Sequence, residues 1–197
     1  MQTDVLALLA TSLVFSVKVA PLVVVVATLV RSALLLTGRR RALVSWTRNA
    51  FLSFATIIFL PGSIINTAVR YGVCSLFGID LEGVGGGSTY AELNLFLKVD
   101  RPPKVAVLVS ALYVSTVASV FIGFTLLFLP VVLLAGAPIV LLCWYLALCV
   151  LFNSSLRGGD VHLLGAALQK HPGRGIAELF VALAVLVVFY SIVGVGI

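Results

Sequence analysis

Residues 105–152 contain no charged side chain. A transmembrane helix needs about 20 consecutive apolar residues to cross a hydrocarbon core of about 30 Å, so this stretch is too long for one crossing and long enough for two. Pro130 and a small-residue group at 135–138 mark a turn region within it. The stretch therefore predicts a helical hairpin whose two ends lie on the same side of a membrane.

Three further apolar stretches, at 5–36, 51–79 and 176–197, predict additional crossings. The chain is 61% hydrophobic and 10% charged, with a mean hydropathy of +1.22, which lies outside the range of soluble globular domains. We therefore predict an all-α polytopic membrane protein, a single membrane domain over 1–197 with about five transmembrane helices. The helices are expected at about 5–36, 51–79, 105–129, 131–152 and 176–197, and the polar loops at 37–50, 80–104 and 153–175.

Several local features are predicted within and between these helices. Pro61 and Gly62 divide the second apolar stretch into a lead-in and a helix, which hints at a site or a close helix contact. Residues 90–99 alternate with the period of two that is typical of a half-buried strand, so a short strand or hairpin is expected before the helical hairpin. The glycine run at 85–87 is expected to be a flexible connector, and 161–170 a short amphipathic helix.

The basic residues bear on environment and topology. The net charge is +6, and in a membrane protein such a balance indicates loops that face anionic lipid. Arg39, Arg40, Arg41 and Arg48, with Trp46 among them, are the best cytoplasmic marker, but the other basic loops would then face the opposite side, so the topology stays open. We expect a lipid bilayer, that of the plasma membrane, with other membrane protein subunits as partners. Nucleic acid, a soluble small-molecule substrate and a cofactor are not expected.

Residues 61–79 begin with Pro-Gly, carry the small residues Gly72, Cys74 and Ser75 in their second half, and have Gly78 next to the end. This segment resembles the catalytic helix of site-2-protease-like membrane metallopeptidases, in which a Pro-Gly start is followed by a zinc-binding His-Glu-x-x-His helix. The resemblance implies that the strand predicted at 90–99 corresponds to the strand-like segment that follows the catalytic helix. It also implies that Asp160 stands at the position of the family's acidic third ligand.

The residues that would hold zinc depart from the family's pattern. Asn66 stands where the first histidine is expected, Thr67 where the glutamate base is expected, and Arg70 where the second histidine is expected. Asparagine is a poor zinc ligand, arginine is a permanent cation that repels the metal, and threonine does not take a proton from bound water near neutral pH. The resemblance therefore implies a relative that has lost its metal and its activity.

The same residues can be interpreted without any family. Asn66 and Arg70 are four residues apart, so they share a helix face in an otherwise apolar segment, and a charge at this depth is costly unless it finds a partner or water. We hypothesise that Arg70 pairs with Asp160 and that this ion pair fills the space of a metal. The alternative is that Arg70 snorkels to the headgroups while Asp160 only caps the helix at 161–170.

Lys18 is another charge within an apolar helix. It could belong to a proton or ion path, but a lone lysine is more typical of a side chain that snorkels to the headgroups or pairs with a carboxylate. His162 and His171 follow Asp160 in a polar loop, with a spacing that is not that of a helical ligand pair. We expect interfacial histidines there rather than a metal site.

These observations favour a non-catalytic protein that acts as a scaffold or accessory subunit of a membrane protein complex. The candidate polar cluster in place of a metal site consists of Asn66, Thr67, Arg70 and Asp160.

Two alternatives stay open. The first is an active intramembrane metallopeptidase with an atypical site built from Asp160, His162 and His171. The second is a small transporter or channel component, with a polar path lined by Lys18, Asn66 and Arg70.

Overall fold

The computed structural model describes residues 2–42, 50–89, 92–99, 103–155, 158–170 and 172–195. Trp46 and Arg48, in the predicted basic loop, lie outside the described residues. The elements are, in chain order, α1 (Gln2–Ala42), α2 (Ala50–Leu76), β1 (Leu81–Thr89), β2 (Glu92–Val99), α3 (Val105–Val132), α4 (Ala137–Asn153), α5 (Gly158–Lys170) and α6 (Pro172–Val195).

Four of these helices are long and apolar enough to cross a membrane, and α4 is a shorter apolar helix. The protein is therefore a multi-pass integral membrane protein whose helices contact lipid. The predicted fold class, an all-α polytopic membrane protein with a short strand element between α2 and the helical hairpin, is confirmed. The four spans are Val5–Ala33, Ile57–Leu76, Val105–Val132 and Pro172–Ile192.

Helix α3 is the central element, since it contacts α1, α2, α4, α5 and α6. Every fourth residue along its buried face is small, from Ala111 through Ser115 and Ser119 to Gly123. Lipid tails are as apolar as leucine, so helices in a bilayer gain little from hydrophobic burial and rely on small residues that let backbones approach closely. This ladder of small side chains lets α2 and α4 approach that face of α3, where Ser119 meets Asn66 and Gly123 lies against Leu151.

Three helices contain a proline, and the same kind of hydrogen bond stabilises each of them. Pro21, Pro61 and Pro130 lack an N–H, and each ring crowds the backbone of the preceding turn, so nearby carbonyl groups need donors from elsewhere. In each case an aromatic side chain of another helix donates to the carbonyl three residues before the proline. The three bonds are Tyr190 Oη to the Lys18 carbonyl (2.8 Å), Tyr145 Oη to the Ile58 carbonyl (2.5 Å) and Trp144 Nε1 to the Leu127 carbonyl (3.0 Å).

The predicted division of the second apolar stretch at Pro61 is wrong, because α2 is continuous from Ala50 to Leu76. Donors on one face of α4 compensate for the proline: Tyr145 reaches the Ile58 carbonyl, and Asn153 Nδ2 lies 2.9 Å from the Phe59 carbonyl. The expected close helix contact is present at Gly62, where a Cβ atom would overlap the carbonyl of Cys149 in α4.

The segment between α2 and α3 is an antiparallel hairpin of β1 and β2. The expectation of a flexible connector at 85–87 is wrong, because these glycines pair with residues 94–96 of β2 and so belong to a strand. The predicted strand at 90–99 begins at Glu92, while Tyr90 and Ala91 lie outside the described residues. Leu81 and Val99, at the base of the hairpin, pack against the buried cluster shared by α2 and α3.

Other boundaries also differ from the predictions. The hairpin turn lies at 133–136, after Pro130 rather than at it, because the helix continues through the proline: the Leu133 N–H still donates to the Leu129 carbonyl, and the bond from the Ala135 N–H to the Pro130 carbonyl closes the helix end. Helix α5 begins at Gly158 instead of 161, α6 begins at Pro172 instead of 176, and α1 continues to Ala42, past the predicted start of the loop at 37.

We predict that Gly62→Ala weakens the α2–α4 contact, because the added methyl group would overlap the Cys149 carbonyl. Overpacking of this kind costs about 1–3 kcal/mol. Gly72→Ala is the matched control, since nothing lies within 4 Å of its Cβ position, and a helical alanine there should be neutral or slightly stabilising. Unfolding in detergent–SDS mixtures measures the difference in stability between the two variants. Equal stabilities would contradict the close approach of α2 and α4 at Gly62.

Candidate functional site

Helix α2 places two polar side chains on one buried face. Asn66 is 1% exposed and Arg70 is 5% exposed, and their spacing of four residues sets them one above the other. Both lie within the candidate span Ile57–Leu76, where an unpaired charge or amide would be costly. The site is therefore defined by what these two side chains meet.

Arg70 forms an ion pair with Asp160 in the first turn of α5. Its Nη1 atom lies 2.7 Å from Oδ1 and 2.6 Å from Oδ2, so one nitrogen bridges both carboxylate oxygens. The side chains are 7% and 15% exposed. The hypothesised pairing is present, and the alternative in which Arg70 snorkels to the headgroups is wrong because its guanidinium is buried inside the bundle.

The second guanidinium nitrogen is directed at the segment that joins α4 and α5. Nη2 of Arg70 lies 3.3 Å from the Ser155 carbonyl, and Nη1 of Arg31 in α1 lies 3.1 Å from the Ser155 hydroxyl. Among the described residues, Nε of Arg70 has no hydrogen-bond partner. Two cations from different helices therefore converge on one serine, and together they hold the α4–α5 connection against the bundle.

Asn66 is bonded through both ends of its amide. Its Nδ2 donates to the carbonyl of Asn153 at the end of α4, and its Oδ1 accepts a hydrogen bond of 2.9 Å from the Ser119 hydroxyl in α3. One side chain thus connects α2 to two other helices. Because both polar atoms are used within the protein, burial of the amide is compensated.

Thr67 is buried beside Asn66 but is directed along its own helix. Its hydroxyl donates to the Ser63 carbonyl one turn earlier, at 2.8 Å. This local bond is the usual way in which a threonine satisfies its hydroxyl inside a transmembrane helix. The structure therefore brings Arg70 and Asp160 into direct contact and ties Asn66 to the α3–α4 side.

Lys18 lies in a different part of the bundle. Its carbonyl accepts the hydrogen bond from Tyr190 in α6, and its ammonium forms no ion pair with any residue that the structure describes. The side chain is partly exposed.

The histidines of the alternative metal site cannot be placed. His171 and the side chain of His162 lie outside the described residues. Within the described part of the chain, no group of three or more His, Cys, Asp and Glu side chains could hold a metal ion. Asp160 also has both carboxylate oxygens in contact with Arg70.

Besides Arg31, three neutral contributors to the site were not singled out from the sequence. Ser119, Asn153 and Ser155 are neutral, and the polarity of such residues alone does not indicate which helix they contact. A signal was present in each case: Ser119 lies on the small-residue ladder of α3, and Asn153 and Ser155 begin the first polar residues after the long uncharged stretch. The partners themselves followed only from the packing of α3 and α4 on α2.

Comparisons with protein-family models, with curated proteins and with solved structures find no match to this chain.

We predict strong coupling between Arg70 and Asp160. Arg70→Met or Asp160→Asn alone leaves a buried group without its counter-charge, and the expected loss is about 3–5 kcal/mol each. The double substitution should cost less than the sum of the two, by at least about 1 kcal/mol.

Unfolding in detergent–SDS mixtures measures the free energy of unfolding of all three variants. The control is Arg174→Met, which removes an exposed arginine and should change stability by less than about 0.5 kcal/mol. Additive losses from the two single substitutions would show that the ion pair is not a coupled unit.

Proposed function

We propose that the protein is a non-catalytic integral membrane protein, similar to site-2-protease-like metallopeptidases but with an ion pair in place of zinc. In this proposal it serves as a scaffold or accessory subunit of a complex in the plasma membrane. The observation that carries the proposal is that Nη1 of Arg70 bridges both carboxylate oxygens of Asp160. In this proposal the Arg70 guanidinium stands in for a metal ion between Asp160 and α2.

The chemistry of the remaining residues supports loss of hydrolysis. Zinc-dependent peptide hydrolysis needs about three protein ligands and a base for the metal-bound water. Asn66 uses its amide to join α2 to α3 and α4, and the hydroxyl of Thr67 donates to its own helix. Neither side chain can replace an imidazole ligand or a carboxylate base.

The site holds helices together, which suits a structural role. Asn66 connects α2 with α3 and α4, and Arg70 connects α2 with the first turn of α5. Polar contacts of this kind rigidify a bundle and specify which helices are neighbours. A relative that no longer cleaves substrates but keeps the bundle is suited to binding other membrane proteins.

The same contacts count against the two alternatives. An atypical peptidase would need Asp160 as a ligand, whereas both of its oxygens contact Arg70. A transport path would need water at Asn66 and Arg70, whereas both side chains are at least nine-tenths buried and bonded to protein atoms.

The proposal predicts that zinc binding can be restored. Asn66→His, Thr67→Glu and Arg70→His together recreate the His-Glu-x-x-His helix, with Asp160 available as the third ligand once Arg70 is gone. We expect about one zinc per folded chain in the triple variant and far less than stoichiometric zinc in the unmodified protein. Elemental analysis of the purified proteins, after loading with zinc and gel filtration, measures both.

The matched control adds Asp160→Asn to the triple variant, and zinc affinity should fall by more than the roughly 10-fold to 100-fold that loss of an outer-shell partner causes. A folded triple variant with no more zinc than the unmodified protein would refute the resemblance. Stoichiometric zinc in the unmodified protein, or proteolysis abolished by a chelator, would refute the loss of the metal site.

A further inference from the structure

Lys18 lies near the midpoint of the candidate span Val5–Ala33. With the midpoint of the span at the centre of a hydrocarbon core of about 30 Å, Lys18 lies about 15 Å from either edge of the core. This distance is roughly twice the reach of a lysine side chain, so snorkelling, which serves lysines near helix ends, is unfavourable here. The ammonium at this depth therefore needs a counter-charge supplied within the membrane.

The described bundle offers no such counter-charge. Lys18 forms no ion pair with any described residue. The sequence places only one acidic residue inside the four candidate spans, Glu178, which lies near the start of α6. Lys18 instead contacts the opposite end of that helix, through Tyr190.

The surface around Lys18 is apolar and faces away from the bundle. Lys18 belongs to a series of residues spaced three or four apart along α1, which places them all on one stripe of the helix. The series consists of Val14, Lys18, Leu22, Val25 and Leu29. The four apolar members are exposed by 42%, 63%, 54% and 64%. The opposite face of α1 carries buried small residues, Ser12, Ser16 and Ala20 among them, and packs into the bundle.

We propose that this stripe, Val14, Lys18, Leu22, Val25 and Leu29, docks a transmembrane helix of a partner protein that carries an Asp or Glu near mid-membrane. The partner's carboxylate would pair with the Lys18 ammonium, while its apolar side chains pack along the stripe. The inference rests on the proposed function only in that a scaffold or accessory subunit requires a partner.

A second copy of this chain does not fit the stripe. A symmetric contact between two α1 helices would set Lys18 opposite Lys18, and like charges at this depth repel. The span Val5–Ala33 contains no acidic residue that could take the place of the lysine in a shifted register. Charge complementarity therefore points to a different protein as the occupant.

The test uses synthetic transmembrane peptides as the probe. A leucine–alanine peptide of about 23 residues with one central Glu, and a matched peptide with Leu at that position, are incorporated with the full-length protein into phosphatidylcholine liposomes. Energy transfer between labelled protein and labelled peptide measures binding. We expect the Glu peptide to bind at least about tenfold tighter than the Leu peptide.

Variants of the protein identify the site. Lys18→Leu should abolish the preference for the Glu peptide, and Lys18→Glu should transfer it to a peptide with a central Lys. The matched control combines Lys18→Leu with Leu13→Lys, which moves the cation to another exposed position off the stripe and should restore little of the binding. Thermal unfolding establishes that the variants are folded.

Three results would overturn the inference: equal binding of the Glu and Leu peptides, unchanged preference in Lys18→Leu, or full preference in the control with the relocated lysine. In a parallel set of liposomes that also contain phosphatidylserine, Lys18-dependent enrichment of the anionic lipid without any peptide preference would assign the site to a headgroup and overturn the inference. None of these residues takes part in the restored zinc site, so failure here leaves the zinc experiment and its conclusion intact.

Discussion

Polar groups inside a bilayer must be satisfied by the protein itself, and most features of this structure follow from that constraint. Three helices contain a proline, and each would expose unsatisfied carbonyl groups if it stood alone. The tertiary structure supplies an aromatic N–H or O–H from a neighbouring helix in every case. The same bonds that allow a proline at membrane depth therefore also specify which helix lies beside it.

The side chains of the candidate site also need partners from other helices, and an unpaired charge at this depth would cost more free energy than an unpaired carbonyl group. A guanidinium in an apolar segment requires an anion, and Arg70 obtains it from Asp160 at the start of α5. Asn66 obtains its partners from α3 and α4. The cluster is thus the place where α2 is joined to α3, α4 and α5 through polar side chains.

Single residues in the sequence allowed some of these contacts and elements to be predicted and gave no information on others. The pairing of Arg70 with Asp160 was one of two hypotheses that the sequence left open, since a cation in an apolar helix needs either an anion or access to the headgroups. The glycine run at 85–87 was assigned to a flexible connector because glycine has no side-chain pattern, whereas backbone pairing with β2 places it in a strand. Neutral donors such as Ser119 and Tyr145 gave no sequence signal for their partners, since those depend on how helices pack.

The sequence by itself determined the class of the protein, because apolar stretches of sufficient length can only be accommodated as helices in lipid. It also determined that the segment following Pro61 lacks imidazole and carboxylate groups, which is a property of residue identity alone. The tertiary structure decided that α2 remains continuous through Pro61, that Arg70 reaches Asp160, and that Lys18 is left without a described counter-charge. These outcomes depend on contacts between helices distant in sequence, and local patterns carry no information about such distances.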